Sequence, residues 1–163
     1  MIKIDKVTVN IGVGGTGEKL EKAKKLLEKL TEQKPIETVA RKRIPTWNLR
    51  PGVAIGTKVT LRGEKAKKVL NTTLDAIDRK VHESNFDNLG NFSFGIHEYI
   101  DVPGLKYDPL IGMLGFDVNT TLRKWGYRVS KRKRKTARIP KKHMITKQES
   151  IEYFKNNFNV VIE

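Results

Sequence analysis

Strict alternation between apolar and polar residues recurs along this chain and limits the possible folds more than any other feature. Every second residue is apolar in 6–11, and the same period recurs in 57–62, 92–97 and 116–122. This period is typical of β-strands that bury one face only. Parallel strands usually bury both faces and form continuous apolar runs, so we expect a largely antiparallel sheet with one open face.

Apolar residues at helical spacing predict the layer that covers the other face of this sheet. They recur over 18–33 and 64–81, and Thr146 and Glu149 form a capping-box signature at the start of a C-terminal helix over 146–158. The expected fold class is α+β, a two-layer sandwich with helices on one face of the sheet and a basic C-terminal extension. The length of 163 residues suits a single domain over 1–163.

The segments between these elements have no clear period. Residues 36–40 predict a short strand, and 41–56, which hold several prolines and glycines, predict a long, mobile, basic loop. Residues 98–115 predict irregular structure with a short helix near 108–113.

Two stretches without any acidic residue carry all of the net charge of +15. Eleven Lys and Arg lie between Arg123 and Lys142, and four more lie between Arg41 and Arg50. The other 18 basic residues are balanced by 18 acidic ones. Such concentrated positive charge favours a phosphate backbone as the partner.

The basic arm 123–142 has two interpretations. A solvated tail or localisation signal is one, but a capped helix follows the arm, and Trp125, Tyr127 and Val129 alternate like a strand that enters the core. We therefore favour an anchored loop that binds phosphates.

The open face of the sheet is predicted to be rich in hydrogen-bond donors and to lack acids. A polar sheet face of this kind can bind RNA. Its residues are Lys6, Thr8, Asn10, Lys58, Thr60 and Arg62.

Composition argues against several functional classes. The chain has no Cys and three scattered His, so we expect no metal and no cofactor. It has no signal peptide and no apolar run that could span a bilayer, so we expect a cytoplasmic protein without a membrane partner. No spacing relates its carboxylates to one another, and no Ser-His or Cys-His set occurs, so we expect no enzyme.

Gly12, Gly14 and Gly17 form a GxGxxG pattern between a strand and a helix. A nucleotide-dependent enzyme using Gly12–Gly17 is the alternative function, because such glycines let a backbone approach a pyrophosphate. The acid expected after the second strand is missing, and Glu18 would lie beside the phosphates. We favour a tight turn that needs positive φ.

Trp47 lies within the first basic stretch and also has two interpretations. It is either packed into the core or exposed, where its ring could stack on an unpaired base. The flanking arginines favour the second interpretation slightly.

A spaced series of motifs along nearly the whole chain resembles a known family. Its most specific member is Gly56-Thr57-Lys58-Val59-Thr60-Leu61-Arg62-Gly63, and its others are Asn10–Gly14, Gln33–Pro35, Thr38–Lys42, Phe86-Asp87 with Gly90–Gly95, and Tyr107-Asp108 before Gly115–Asp117. The series is similar to the universal large-subunit ribosomal protein family number five, which binds 5S ribosomal RNA.

The resemblance implies a concave antiparallel sheet and a structural role in the ribosome. The implied partners are 5S rRNA, 23S rRNA, peptidyl-site tRNA, neighbouring large-subunit proteins and a small-subunit head protein. With the basic residues noted above, the rRNA-binding set is Asn10, Gln33, Lys34, Arg41, Trp47, Arg50, Lys58, Thr60, Arg62, Lys131, Arg132, Lys133, Arg134 and Lys135. The loop implied to contact tRNA contributes Lys42, Arg43, Thr46 and Asn48.

Two departures from the bacterial members of this family indicate an archaeal-type protein. The chain lacks the extra N-terminal helix of bacterial members, and it carries a basic run at 131–142 with a capped helix beyond it. Archaeal and eukaryotic members carry such an extension.

Overall fold

The structure is a computed structural model that describes residues 1–15 and 17–163. Over these residues the elements are, in chain order, β1 (Ile2–Gly12), α1 (Glu18–Thr31), β2 (Ile36–Val39), β3 (Ala54–Leu61), α2 (Gly63–Asp75), β4 (Lys80–Val81), β5 (Phe92–Ile96), β6 (Phe116–Lys124), α3 (Arg128–Lys131), α4 (Lys147–Phe158) and β7 (Val161–Ile162).

Five of these strands form one antiparallel sheet in the order β2-β3-β1-β6-β5, so the expected α+β class is confirmed. The central strand β1 pairs with β3 on one side and with β6 on the other. The short strands β4 and β7 form a separate parallel pair.

The core lies between one face of the sheet and the helices. Val7, Val9 and Leu61 are fully buried there, as are Leu26 of α1 and Leu70 of α2. Each buried side chain of this kind stabilises the fold by about 1.5–3 kcal/mol. The alternation predicted from the sequence therefore assigned the buried face of β1 and β3 correctly.

Helix α4 closes the core at the end of the sheet where β5 begins. The ring of Phe154 packs 4.6 Å from that of Phe92, which stacks on Phe86 at 4.7 Å. The predicted capping box is present, because the Thr146 hydroxyl accepts from the Glu149 amide and the Glu149 carboxylate accepts from the Thr146 amide.

Several predicted boundaries are wrong. The helix predicted over 64–81 ends at Asp75, since Asp78 and Arg79 adopt left-handed backbone angles that a helix cannot continue through. Helix α1 ends at Thr31 rather than at 33, where Glu32 is also left-handed.

Two further predictions, for the segments around 108–113 and after 122, need correction. The helix predicted near 108–113 is a turn, in which the amides of Ile111 and Gly112 both donate to the Asp108 carbonyl. Strand β6 continues to Lys124, and the chain then turns at Gly126 instead of extending as a strand. Trp125 is exposed, while Tyr127 packs partly buried against the core.

Candidate nucleic-acid interface

The open face of the sheet brings four of the predicted site residues together. Asn10 lies directly opposite Lys58 in the β1–β3 register, and Thr8 lies opposite Thr60. Lys58, Thr60 and Arg62 are exposed, and the β1 members are half-buried. The predicted polar face is therefore present, with neutral donors and acceptors at its centre and cations beside them.

Strand β6 extends this face and adds a group that the prediction omitted. Asn119 lies opposite Thr8 and is exposed. Asp117 lies opposite Asn10 and is exposed as well, so the expectation of a face without acids is wrong at this position. A carboxylate there can accept a hydrogen bond from a base amino group or a ribose hydroxyl, but it repels phosphate.

The first basic stretch projects from the end of the sheet as a folded loop. The Ala40 amide donates to the Val53 carbonyl at 2.8 Å, and the Gly52 amide donates to the Ala40 carbonyl at 3.0 Å. Ile44 and Leu49 form an isolated bridge further out. The loop predicted over 41–56 therefore ends earlier, because Ala54–Gly56 belong to β3.

The tip of this loop presents Trp47 to solvent. A single 3-10 turn, Pro45–Trp47, is followed by Asn48 in the left-handed region, and the Asn48 amide donates to the Pro45 carbonyl. Trp47 is 69% exposed, so the alternative of a core tryptophan is excluded. The other predicted site residues of the loop are also exposed: Arg41, Lys42, Arg43, Thr46, Asn48 and Arg50.

Gln33 and Lys34 lie at the edge of the sheet, between α1 and β2. Gln33 is half-buried and Lys34 is exposed. They precede Ile36, which is opposite Lys58 in the β2–β3 register. This position puts them next to the strands of the open face but not in the row formed by Asn10 and Lys58.

The basic arm is anchored at its start by a buried carboxylate. Lys131 forms an ion pair and a hydrogen bond with Asp5, whose side chain is 5% exposed. Arg123 lies 3.6 Å from the other oxygen of the same carboxylate. Lys131 is therefore partly neutralised, unlike the exposed Lys133, Arg134 and Lys135, which form no ion pair among the described residues.

The charge around Asp5 changes its acidity. Burial alone would raise the pKa of Asp5, but the hydrogen bond and charge of Lys131 lower it, as do the charges of Arg123 and Arg62. These cations outweigh burial and hold the pKa below its usual value. The carboxylate therefore stays ionised at neutral pH and ties the arm to the sheet.

The buried position of Asp5 is not among the sequence predictions, although a signal for it is present. Ile2 and Ile4 occupy even positions, whereas Val7, Val9 and Ile11 occupy odd ones. The phase of the alternation changes between them, and the β1–β6 register shifts between Ile4 and Lys6. A β-bulge inserts one extra residue in this way and re-aims its side chain.

In the glycine turn after β1, two backbone amides donate hydrogen bonds within the protein and are not free to bind a phosphate. The amides of Val13 and Gly14 both donate to the Ile55 carbonyl at 2.9 Å. Gly14 and Gly17 have positive φ, as the tight-turn interpretation requires. The next sheet strand, β2, does not pair with β1, so this is not the parallel unit of a dinucleotide fold. Thr16 lies outside the described residues.

The described part of the chain shows neither a membrane-spanning helix nor a metal site. No helix there is long and apolar enough to cross a membrane. No group of three or more His, Asp or Glu is arranged there to hold a metal ion.

Comparison with known proteins gives a family for the chain. Residues 1–50 match the family described as "Ribosomal protein L5", and residues 54–153 match the model of the C-terminus of the same ribosomal family. The relatives reported below carry the name "Large ribosomal subunit protein uL5". The one from Sulfurisphaera tokodaii is 50% identical over 99% of this chain and 92% of its own length.

Other archaeal relatives agree with this match. The protein of Methanosphaera stadtmanae is 48% identical over 98% of this chain and 95% of its own length. That of Nanoarchaeum equitans is 49% identical, with coverage of 99% and 95%. The family models match residues 1–50 and 54–153, and the archaeal relatives align over nearly the whole chain. The chain therefore belongs to the ribosomal protein L5 family, in its archaeal form.

Proposed function

We propose that the protein is a non-enzymatic structural component of the large ribosomal subunit that binds 5S rRNA. Its open sheet face and the loop between Ala40 and Val53 form the binding surface. The observation that carries this proposal is the open face itself, where Asn10 lies opposite the exposed Lys58 and Thr60 is exposed between Lys58 and Arg62. The family membership and the large-subunit names of the relatives support it.

The neutral residues of the face would read the shape of the RNA. The Asn10 side chain can donate and accept at the same time, and Thr8 and Thr60 offer hydroxyls to ribose or base edges. Lys58 and Arg62 would contact phosphates, which adds affinity but no sequence preference. Asp117 would favour an exposed amino or hydroxyl group over a phosphate beside Asn10.

The loop would add a stacking contact at the end of the sheet. The exposed ring of Trp47 has the chemistry to stack on an unpaired base, and Arg41 and Arg50 lie in the same loop. We propose that its outer residues, Lys42, Arg43, Thr46 and Asn48, reach toward peptidyl-site tRNA.

The arm would bind phosphates of 23S rRNA beyond the 5S contact. Lys133, Arg134 and Lys135 are the residues that carry this proposal, because Lys131 already pairs with Asp5. Neighbouring large-subunit proteins and a small-subunit head protein are further proposed partners, supported by the family membership alone.

Filter binding of the full chain to 5S rRNA and to a random RNA of equal length, over a series of salt concentrations, tests the proposal. Specific contacts persist at salt concentrations that screen phosphate contacts, so we expect a preference for 5S rRNA that grows as salt rises. Equal affinities for the two RNAs at moderate salt would contradict the proposal and favour a general basic nucleic-acid coat.

A further inference from the structure

Trp125 is held at a fixed place on the surface with its ring in solvent. The alternation at 125–129 predicts that it enters the core, yet it is 82% exposed. The chain turns at Gly126, where φ is 91°. The turn is fastened on both sides, because the Trp125 carbonyl lies 2.7 Å from His143 Nε2 and the Tyr127 hydroxyl accepts from the Ile145 amide at 3.1 Å.

The fold therefore fixes the backbone on both sides of this exposed ring. Lys124, immediately before Trp125, is tied to Glu149 of α4 at 2.7 Å. Leaving an indole ring in water forgoes about 1.5–3 kcal/mol that its burial would contribute. A single exposed apolar side chain is common on protein surfaces, so the exposure of Trp125 points to a binding role only together with the cleft that the ring lines.

Trp125 lines a cleft that has the size and charge of a nucleotide site. The cleft has a volume of about 650 Å³, within the range of small-molecule sites. No acidic residue lines it, and five cations do: Lys3, Arg123, Lys124, Arg128 and Arg132. Arg123 and Lys124 face Asp5 and Glu149, whereas the other three form no ion pair within the described residues.

The cleft continues the open face of the sheet. Lys3 and Arg123 are paired in the β1–β6 register, on the same face as Thr121 and Asn119. Trp125 follows the end of β6 that pairs with the start of β1, while the loop with Trp47 projects beyond the other end of β1. The two exposed tryptophans thus lie beyond opposite ends of a strand about 35 Å long.

We propose that this cleft binds one unpaired nucleotide of RNA, with the base stacked on Trp125 and its phosphate held by Lys3, Arg128 and Arg132. Exposed aromatic rings flanked by arginines stack on bases of any sequence, and unpaired cations bind the phosphates. An acidic protein would also match the positive charge of the cleft. Its carboxylates, however, would stack less well on the flat indole ring than a nucleic-acid base does. The inference rests on the proposed RNA-binding function and adds to it a site for a single nucleotide at the start of the basic arm.

Tryptophan fluorescence of a Trp47→Phe variant tests this site, because Trp125 is then the only fluorescent indole. The probe is a hexaadenylate RNA, and a linear hexaphosphate is the matched anion without bases. Hexaadenylate is expected to quench the emission saturably, since a stacked base quenches an indole. Hexaphosphate should bind through charge without comparable quenching.

Direct binding of fluorescein-labelled hexaadenylate, measured by anisotropy, provides the second readout. Trp125→Ala should weaken it by about 5- to 100-fold, the range for loss of one base-stacking side chain. Trp125→Phe should stay within about threefold of the parent, because a ring is retained. Tyr107→Ala, which removes another exposed ring outside the cleft, should leave the affinity unchanged.

Three results would overturn the inference: no quenching by hexaadenylate, equal quenching by hexaphosphate, or unchanged affinity in Trp125→Ala. The first would favour a protein as the partner of the ring. The 5S proposal can fail separately from this inference. In that case the protein binds 5S rRNA and random RNA equally tightly, while hexaadenylate still quenches Trp125.

Discussion

At the scale of single residues, the proposed recognition depends on uncharged side chains held between cations. Asn10 and Thr60 gain their positions from the antiparallel register, which sets Asn10 opposite Lys58 and Thr60 opposite Thr8. Charge brings an RNA to this face at many places, but only groups with directed hydrogen bonds distinguish one RNA surface from another.

Asn10→Ala and Arg50→Ala should each weaken binding to 5S rRNA by about 1–3 kcal/mol, the scale of a lost buried or charged hydrogen bond. Filter binding at fixed salt measures the effect. Asn71→Ala and Lys25→Ala remove similar groups from the exposed sides of α2 and α1 and serve as controls. If both site variants bind as tightly as the controls, the binding surface lies elsewhere.

Asp5→Asn should lower the free energy of unfolding at pH 7 by about 1–2 kcal/mol, because a charged hydrogen bond to Lys131 is lost. The pKa of Asp5 is lower in the folded protein than in the unfolded chain, where it is about 3.9. Its contribution is therefore complete above that unfolded value and disappears as the pH falls through the folded pKa.

Urea unfolding at a series of pH values measures this linkage. The difference between the wild type and Asp5→Asn should be constant from pH 7 to about pH 5 and narrow in stronger acid. Asp101→Asn, an exposed aspartate without an ion pair among the described residues, should stay within about 0.5 kcal/mol of the wild type. A difference that stays the same at about pH 3 would contradict the assigned role of Asp5.

At the scale of secondary-structure elements, the C-terminal part of the chain is anchored to the sheet at two points. The arm is anchored by Lys131 on Asp5, and α4 is anchored by Lys124 on Glu149 and by the Ser150 hydroxyl, which donates to the Gly90 carbonyl. The exposed cations of the arm follow directly after the first anchor, so the arm begins at a defined place on the sheet.

Replacing Lys133, Arg134 and Lys135 together by Ala should flatten the plot of log affinity against log salt for a 23S rRNA fragment. Each lost phosphate contact reduces the slope by roughly 0.7–0.9, so we expect a change of about 2. The control replaces Lys25, Lys65 and Lys68 by Ala, which removes the same charge from the exposed sides of α1 and α2. Equal slopes for the two triple variants would mean that the arm is solvated.

Thr146→Ala should destabilise the protein by about 1 kcal/mol, because it leaves the Glu149 amide at the start of α4 without its cap. Thr146→Ser retains the hydroxyl and should restore most of this loss. Urea unfolding compares the three proteins. An alanine variant as stable as the wild type would show that the packing of Phe154 and Phe158 alone holds the helix.

At the scale of the whole molecule, the spacing of apolar residues predicted the sheet and the helices that cover it. It did not predict where the helices end and the chain changes direction. The buried faces of β1 and β3 follow from alternation, because a one-residue shift would expose every apolar side chain. The early end of α2 at Asp75 did not follow, since the left-handed angles of Asp78 and Arg79 accompany contacts of Arg79 with Asp75 and the Phe158 carbonyl.

The candidate site, too, could be predicted from the sequence only in part. Exposure of the face, of Trp47 and of the basic loop could be predicted from composition and alternation. The pairing of Lys131 with Asp5 and the outward ring of Trp125 could not, because both depend on contacts between parts of the chain that are far apart in sequence. Local alternation at Trp125 even predicted the opposite orientation.

Lysine acetylation footprinting of the protein with and without 5S rRNA tests the central claim most directly, namely that the open face and its loop bind the RNA. We expect protection of Lys58 and Lys34, and none of Lys25, Lys65 and Lys68 on the helical layer, which are also exposed in the free protein. Protection of the helical lysines with Lys58 left reactive would contradict the account.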